Sequence, residues 1–173
     1  GKDWVDNGKG ISYSYGTNGS DVKLVKVSGS LQSNTLKISV EGSYSANTLN
    51  KLRAVDENGS VSEEYKDMQD RVVLKRSFVK NYVENSSGTS KVVSTYYIYD
   101  DLGRLRLVIP PMAAGTIESL TSNTDYTINS DIIKQYCYYY EYDGRGRMIA
   151  KKLPGAEVVY MVYNRRDLLV LVQ

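Results

Sequence analysis

Tyr138 to Met148 reads YYYEYDGRGRM, four tyrosines running into a basic, glycine-rich segment. Alternating tyrosines fit a pleated strand, whose side chains point to opposite faces in turn. The Asp and Gly residues that follow fit a chain reversal, because Asp bonds the next backbone N–H groups and Gly accepts positive φ. The stretch therefore reads as the end of a strand, a turn, and the start of a return strand. It also recurs. Tyr99-Asp100-Asp101-Leu102-Gly103-Arg104-Leu105 superposes on Tyr142-Asp143-Gly144-Arg145-Gly146-Arg147-Met148 as Y-D-x-x-G-R-apolar, Tyr96 and Tyr97 match Tyr139 and Tyr140, and Pro111 matches Pro154, each seven residues after its arginine. Both prolines are expected to close their strands, since Pro has no donor for a further ladder bond.

Weaker copies extend the series. Lys66-Asp67-Met68-Gln69-Asp70-Arg71-Val72 keeps the aspartate and arginine, Tyr163-Asn164-Arg165-Arg166-Asp167-Leu168 keeps the tyrosine, and Val55-Asp56-Glu57-Asn58-Gly59-Ser60 and Tyr15-Gly16-Thr17-Asn18-Gly19 are more distant members. Tyr142 to Tyr163 is 21 residues and Tyr99 to Tyr142 is 43, about two units with an irregular insertion. A residue type that returns at one place in every unit is a turn former before it is a catalyst. Tyr99, Asp100, Gly103, Arg104, Tyr142, Asp143, Gly146 and Arg147 are thus the repeat turn motif.

Elsewhere the hydrophobic period is again two: Ile11, Tyr13 and Tyr15 share a face, and Leu36, Ile38 and Val40 alternate with Lys37 and Ser39. Asp6-Asn7-Gly8, Asn18-Gly19-Ser20, Asn58-Gly59-Ser60 and Ser86-Ser87-Gly88 read as reversals. On the return strands, Leu105 with Leu107 and Met148 with Ala150 are expected to share a face. Pro111 to about Gln135 is rich in Thr, Ser and Asn and reads as a loop, except that Ser130 caps a short helix near 131–136. The expected fold is all-β, a twisted antiparallel sheet of stacked hairpins. Residues 1–50 form a strand region and 51–173 the repeat region, continuing as one sheet.

Composition narrows the chemistry. The 173 residues carry 22 basic and 20 acidic side chains, so no one-signed field marks a nucleic-acid partner. Histidine is absent and cysteine occurs once, which excludes His-dependent triads, a disulfide within the chain and an ordinary zinc site. No run approaches the roughly 18 apolar residues of a spanning helix, so no membrane insertion is expected of this segment. Sixteen tyrosines against one Phe and one Trp suit half-wet strands. Gly1 reads as a tag remnant and Leu169-Val170-Leu171-Val172-Gln173 as an apolar run without a terminating signal, so the chain is expected to be part of a longer polypeptide.

At Tyr99–Leu105 and Tyr142–Met148 the sequence resembles the tyrosine-aspartate (YD) repeats of the Rhs family, also found in the shells of insecticidal toxin complexes. The Val-Ile-Pro-Pro strand end, the Leu-Pro-Gly reversal and Tyr160-Met161-Val162-Tyr163 resemble versions in large surface or secreted proteins of Bacteroidetes. The resemblance implies a β-spiral or shell, secreted or at the cell surface, that serves as a scaffold in toxin encapsulation or cell contact. It also implies that the partner of this segment is the remainder of the parent polypeptide. The family's self-cleaving segment depends on an Asp-Pro motif, which this sequence lacks, so autoproteolysis is not assigned.

Other readings attach to single features. Glu141 and Asp143, two apart on a strand, fit an acid and base pair for glycoside hydrolysis, but Asp143 recurs as Asp100 and Asp67. Asp56-Glu57-Asn58-Gly59 with Glu63 and Glu64 resembles half a calcium loop and lacks its full spacing. Gly144-Arg145-Gly146-Arg147 beside tyrosines fits an RNA-binding box, against a near-neutral charge. Cys137, among tyrosines, reads as core. Tyr136, Tyr138, Tyr140 and Tyr142 line one face and Tyr139 the other. Tyr138, Tyr139 and Tyr140 thus form a candidate platform for stacking sugars, with packing of Tyr97 and Tyr99 against Tyr140 and Tyr142 as the alternative. The expectation is a scaffold without catalysis, cofactor or metal, and the alternative is a carbohydrate-binding module.

Overall fold

The computed structural model describes residues 10–79, 91–120, 124–127 and 131–173. The fold is all-β, as the period of two requires. Thirteen strands and two helices occur among the described residues, and the paired strands run antiparallel. The reversals read at Asp6–Gly8 and Ser86–Gly88, and the Ser130 cap, lie outside the described residues.

The chain forms two compact units. The first comprises residues 1–22 and 43–95, and the second residues 23–42 and 96–173. In the first unit, β1 (Ser12–Thr17), β4 (Asn50–Val55), β5 (Val61–Lys66) and β6 (Val72–Val79) lie side by side in the order β1-β4-β5-β6. Val22, Leu49, Tyr65, Val73 and Leu74 are its buried apolar residues. Asn18 makes no hairpin, contrary to the turn read at Asn18-Gly19-Ser20 and to the repeat read at Tyr15–Gly19. It is buried, its Oδ1 accepts the N–H groups of Thr48 (3.0 Å) and Leu49 (2.7 Å), and its Nδ2 donates to the Ser45 carbonyl (2.8 Å). A side chain with both donors and acceptors satisfies these backbone groups at a distance of about 30 residues in sequence, something turn statistics do not register.

In the second unit, β2 (Lys23–Ser28), β3 (Lys37–Ser43) and β9 (Thr124–Thr127) form one sheet. The C-terminal half of β7 (Lys91–Tyr99), with β8 (Leu105–Ile109), β10 (Tyr138–Tyr142), β11 (Met148–Lys152), β12 (Val158–Tyr163) and β13 (Leu169–Val172), follows in that lateral order. Leu36, Ile38 and Val40 are buried as their alternation requires, with Ile98, Leu107, Ile109, Tyr139 and Ala150.

The insertion between Tyr99 and Tyr142 is more ordered than its composition predicts. Pro111 opens a helix instead of merely closing β8: α1 spans Pro111–Ser119, with Pro110 extended at its N-cap and Ala113, Ala114 and Ile117 buried. Proline at the first helical position loses nothing, because that N–H has no helical partner anyway. Lys23 Nζ donates to the Leu120 carbonyl at the other end (2.6 Å). The short helix expected near 131–136 is α2, Asp131–Tyr136. Lys152, only 4 % exposed, donates from Nζ to the Lys134 carbonyl in α2 (2.7 Å). After this excursion β10 takes the place beside β8, and the hairpin series resumes.

This order corrects the expected tyrosine packing. Val108 lies in register between Tyr97 and Tyr138, and Leu107 between Ile98 and Tyr139, so β8 separates the two tyrosine strands. Two strand spacings, roughly 10 Å, keep Tyr97 and Tyr99 from being direct cross-strand neighbours of Tyr140 and Tyr142.

Candidate functional site

Among the described residues, five hairpin turns share one closing geometry. In the turn from Asp100 to Arg104, the Asp100 N–H donates to the Arg104 carbonyl and the Gly103 N–H to the Asp100 carbonyl, both at 2.9 Å. Asp100 Oδ1 accepts the N–H groups of Leu102 (3.0 Å) and Arg104 (2.9 Å), while Oδ2 accepts Nε and Nη2 of Arg104, both at 2.8 Å. Asp143 repeats every bond: Oδ1 takes Arg145 N and Arg147 N at 2.9 Å, and Oδ2 takes Arg147 Nε at 2.7 Å and Nη2 at 2.6 Å. The fourth residue has φ near +80°, with Gly103 at 78° and Gly146 at 80°. A type I turn followed by a left-handed residue is the three-residue hairpin loop with a glycine bulge, and it explains both the Asp and the Gly.

The degenerate copies obey the same rule. Asp67 Oδ1 accepts Gln69 N and Arg71 N, and Oδ2 accepts Arg71 Nε, with Asp70 at φ 61° in place of Gly. Asn164 Oδ1 accepts Arg166 N and Leu168 N, with Asp167 at φ 62°. Asp56 Oδ1 accepts Asn58 N and Ser60 N, with Gly59 at φ 72°. The carboxyls of Asp67, Asp100 and Asp143 sit below the usual carboxylate range. Burial pushes each one up, but the N–H and guanidinium groups of the fifth-position arginine outweigh it.

The arginine also reaches beyond its own turn. Arg104 lies 5.2 Å from the centroid of the Tyr142 ring and donates from Nη1 to the Asp143 carbonyl (2.9 Å). Arg147 lies 4.8 Å from the Tyr163 ring and donates from Nη1 to Asp167 Oδ1 (2.5 Å). Tyr142 and Tyr163, which precede Asp143 and Asn164, therefore each receive the arginine of the preceding hairpin, held by cation–π attraction while the fork grips its own aspartate. In the hairpin from Asp56, the arginine position is Ser60, and the next hairpin carries Lys66 where the tyrosine would stand. Donor and receiver are absent together.

Past the turn, alternation breaks. Tyr99 pairs with Leu105 and Ile98 with Leu107, leaving Arg106 as an extra residue, and Ile149 is skipped in the same way between Met148 and Ala150. The bulge separates the faces of Leu105 and Leu107, and of Met148 and Ala150, that simple alternation joins. It also aims Arg106 at Tyr139: the guanidinium is 5.2 Å from the ring centroid, Nη2 donates to the Tyr139 hydroxyl, and Nε donates to the Tyr140 carbonyl (3.0 Å).

The remaining candidates separate. Tyr139 is 0 % exposed and offers no ring face to solvent, while Tyr138 and Tyr140 are half-buried on the opposite face. Glu141 is buried and its Oε2 accepts the Leu31 N–H (3.1 Å), so it and Asp143 serve unrelated backbone partners. The Asp56 carboxylate closes its hairpin, and among the described residues no group of three or more Asp, Glu, Cys or His gathers as a metal-binding set. In the Gly144–Arg147 tetrapeptide both guanidinium groups contact Asp167. Burial pushes the Cys137 thiol up to about 12, against the pull of Lys152, which leaves no thiolate near neutral pH.

Two features escape a sequence reading. Glu63, buried, accepts Lys51 Nζ (2.6 Å) and the Tyr65 hydroxyl (2.9 Å), a charged cluster on the buried face of the first unit. Only cross-strand register reveals it. The most exposed tyrosines among the described residues are Tyr13 (57 %) and Tyr15 (84 %) on β1. No protein-family model matches the chain, and no curated protein sequence matches it.

Proposed function

We propose that this chain is a structural wall segment of a longer secreted or cell-surface polypeptide of YD-repeat type, without catalysis of its own. The observation that carries this reading is the interlocked turn: aspartate, left-handed residue and arginine close one hairpin, and the same arginine grips the tyrosine of the next. Side chains that elsewhere perform acid-base or anion-binding chemistry are here committed to backbone and neighbouring hairpins. A sheet tied at successive turns resists peeling strand by strand, which suits a scaffold that encloses cargo or spans a cell contact. The test is electron microscopy of the full-length polypeptide with enzymatic assay of this chain. The reading expects the turn row to run along a continuous curled sheet, with no turnover of glycan or peptide mixtures. Isolation of the segment as a separate domain that hydrolyses either substrate would overturn it.

A further inference from the structure

Residues 23–42 belong to the second unit, while the chain on either side, through Val22 and from Ser43 on, belongs to the first. They form a hairpin arm that holds its own shape. β2 and β3 are neighbours in one sheet, and Lys26 Nζ pairs with Glu41 at 2.5 Å. At the tip, the Thr35 N–H donates to the Ser30 carbonyl (3.0 Å) and the Asn34 N–H to the Leu31 carbonyl (3.2 Å). At the base, the Tyr44 N–H donates to the Val22 carbonyl (2.8 Å), so the first unit closes across the two ends of the arm with a bond of its own. The arm can therefore leave its seat without opening either the hairpin or this closure.

The seat selects this arm. β9 pairs with β3 from Lys37 opposite Thr127 to Val40 opposite Thr124, and Lys37 Nζ meets Asp125 at 2.5 Å. Lys23 Nζ donates to the Leu120 carbonyl just past α1. Over the tip, Glu141 Oε2 accepts the Leu31 N–H (3.1 Å) and Arg106 Nη2 donates to the Gly29 carbonyl (3.3 Å), a clamp on backbone groups two residues apart. Val25, Leu31, Leu36, Ile38 and Val40 are buried. Gly29 has φ 75°, and the Thr35 carbonyl stands where a Cβ would be, so a side chain at that position collides with the arm itself. A glycine of positive φ, an apolar residue two places on and a lysine at the start of each strand match residues 23–42 of this sequence and few other strands. An arm docked in its own chain or in another makes the same contacts, which is the condition under which exchange between copies costs little.

We propose that the second unit accepts residues 23–42 of a second copy of this chain in place of its own, so that two copies join by exchanging arms. This goes beyond the wall reading, which stands whether or not arms exchange. The test mixes two chains of different tag length, one carrying Ser39→Cys and the other Asp125→Cys, at positions that are cross-strand partners on β3 and β9. Ser39→Cys with Arg165→Cys, on an exposed turn, is the comparison, and the buried Cys137 stays in place in every chain. Incubation together at millimolar concentration, followed by dilution and mild oxidation, is expected to give a mixed disulfide with Asp125→Cys and none with Arg165→Cys. By size exclusion with light scattering, the dimer-to-monomer ratio of the unsubstituted chain is expected to rise about tenfold or more when concentration rises about a hundredfold. Glu141→Gln, which weakens the clamp on Leu31, is expected to reach the same dimer fraction sooner, because docking within a chain and between chains loses the same bond. A monomer at every concentration, a disulfide that forms only when Ser39→Cys and Asp125→Cys share one chain, or a mixed disulfide equally abundant with Arg165→Cys would overturn the proposal.

Discussion

The hairpins that begin at Asp100 and Asp56 close with the same backbone bonds, yet only the first sends a guanidinium to its neighbour. Both aspartates accept the N–H groups two and four residues on, and both turns place a glycine at positive φ. Arg104 adds a fork on Asp100, a ring contact with Tyr142 and a bond to the Asp143 carbonyl, whereas Ser60 supplies no guanidinium. The difference separates two tasks that the Y-D-x-x-G-R pattern merges. Asp and Gly shape the turn, while Arg and Tyr join one turn to the next.

The comparison breaks most severely at the aspartates. Asp100→Ala removes the acceptor of two N–H groups and strands a half-buried guanidinium, and is expected to cost about 2–3 kcal/mol in urea unfolding. Asp56→Ala, with no arginine to strand, is expected to cost about 1 kcal/mol. Equal losses would mean that the arginine fork adds nothing. At the fourth position, Gly103→Val places a β-branched residue at φ 78° and is expected to cost about 2 kcal/mol. Gly103→Asp should cost clearly less, because Asp70 and Asp167 already occupy that conformation. A smaller effect comes from pH. The folded carboxyls of Asp67, Asp100 and Asp143 lie below their unfolded value of about 3.9. The unfolded chain therefore takes up protons first, and the stability these groups contribute is complete above that value and lost as pH falls through their folded pKa. Asp100→Asn, which keeps an acceptor oxygen, should flatten the acid limb of a stability-pH curve and leave the turn intact, as Asn164 does naturally.

Much of this was legible in the residues. Alternating tyrosines and Asp/Gly turns give the antiparallel hairpins, and Asp131–Tyr136 reads as a helix from its own sequence. Local chemistry decides these. What stayed hidden depends on partners distant in sequence: Asn18 looks like a turn former and instead satisfies backbone some thirty residues on, and Pro111 looks like a strand end because its buried Ala113, Ala114 and Ile117 lie among loop-like residues. The pattern also shows Tyr and Asp as one dipeptide. Only the order of strands reveals that the tyrosine answers the arginine of the hairpin before it, and that Tyr139 is buried under Arg106 while Tyr13 and Tyr15 face solvent.

The linkage of Arg104 to Tyr142 is tested most directly by a double-mutant cycle on unfolding free energy with Arg104→Met and Tyr142→Leu. The expected coupling is about 0.5–1 kcal/mol, with no comparable coupling between Ser60→Ala and Lys66→Met in the hairpins that lack the pair. Additive losses at Arg104 and Tyr142 would contradict the account, leaving each hairpin closed by its own turn alone.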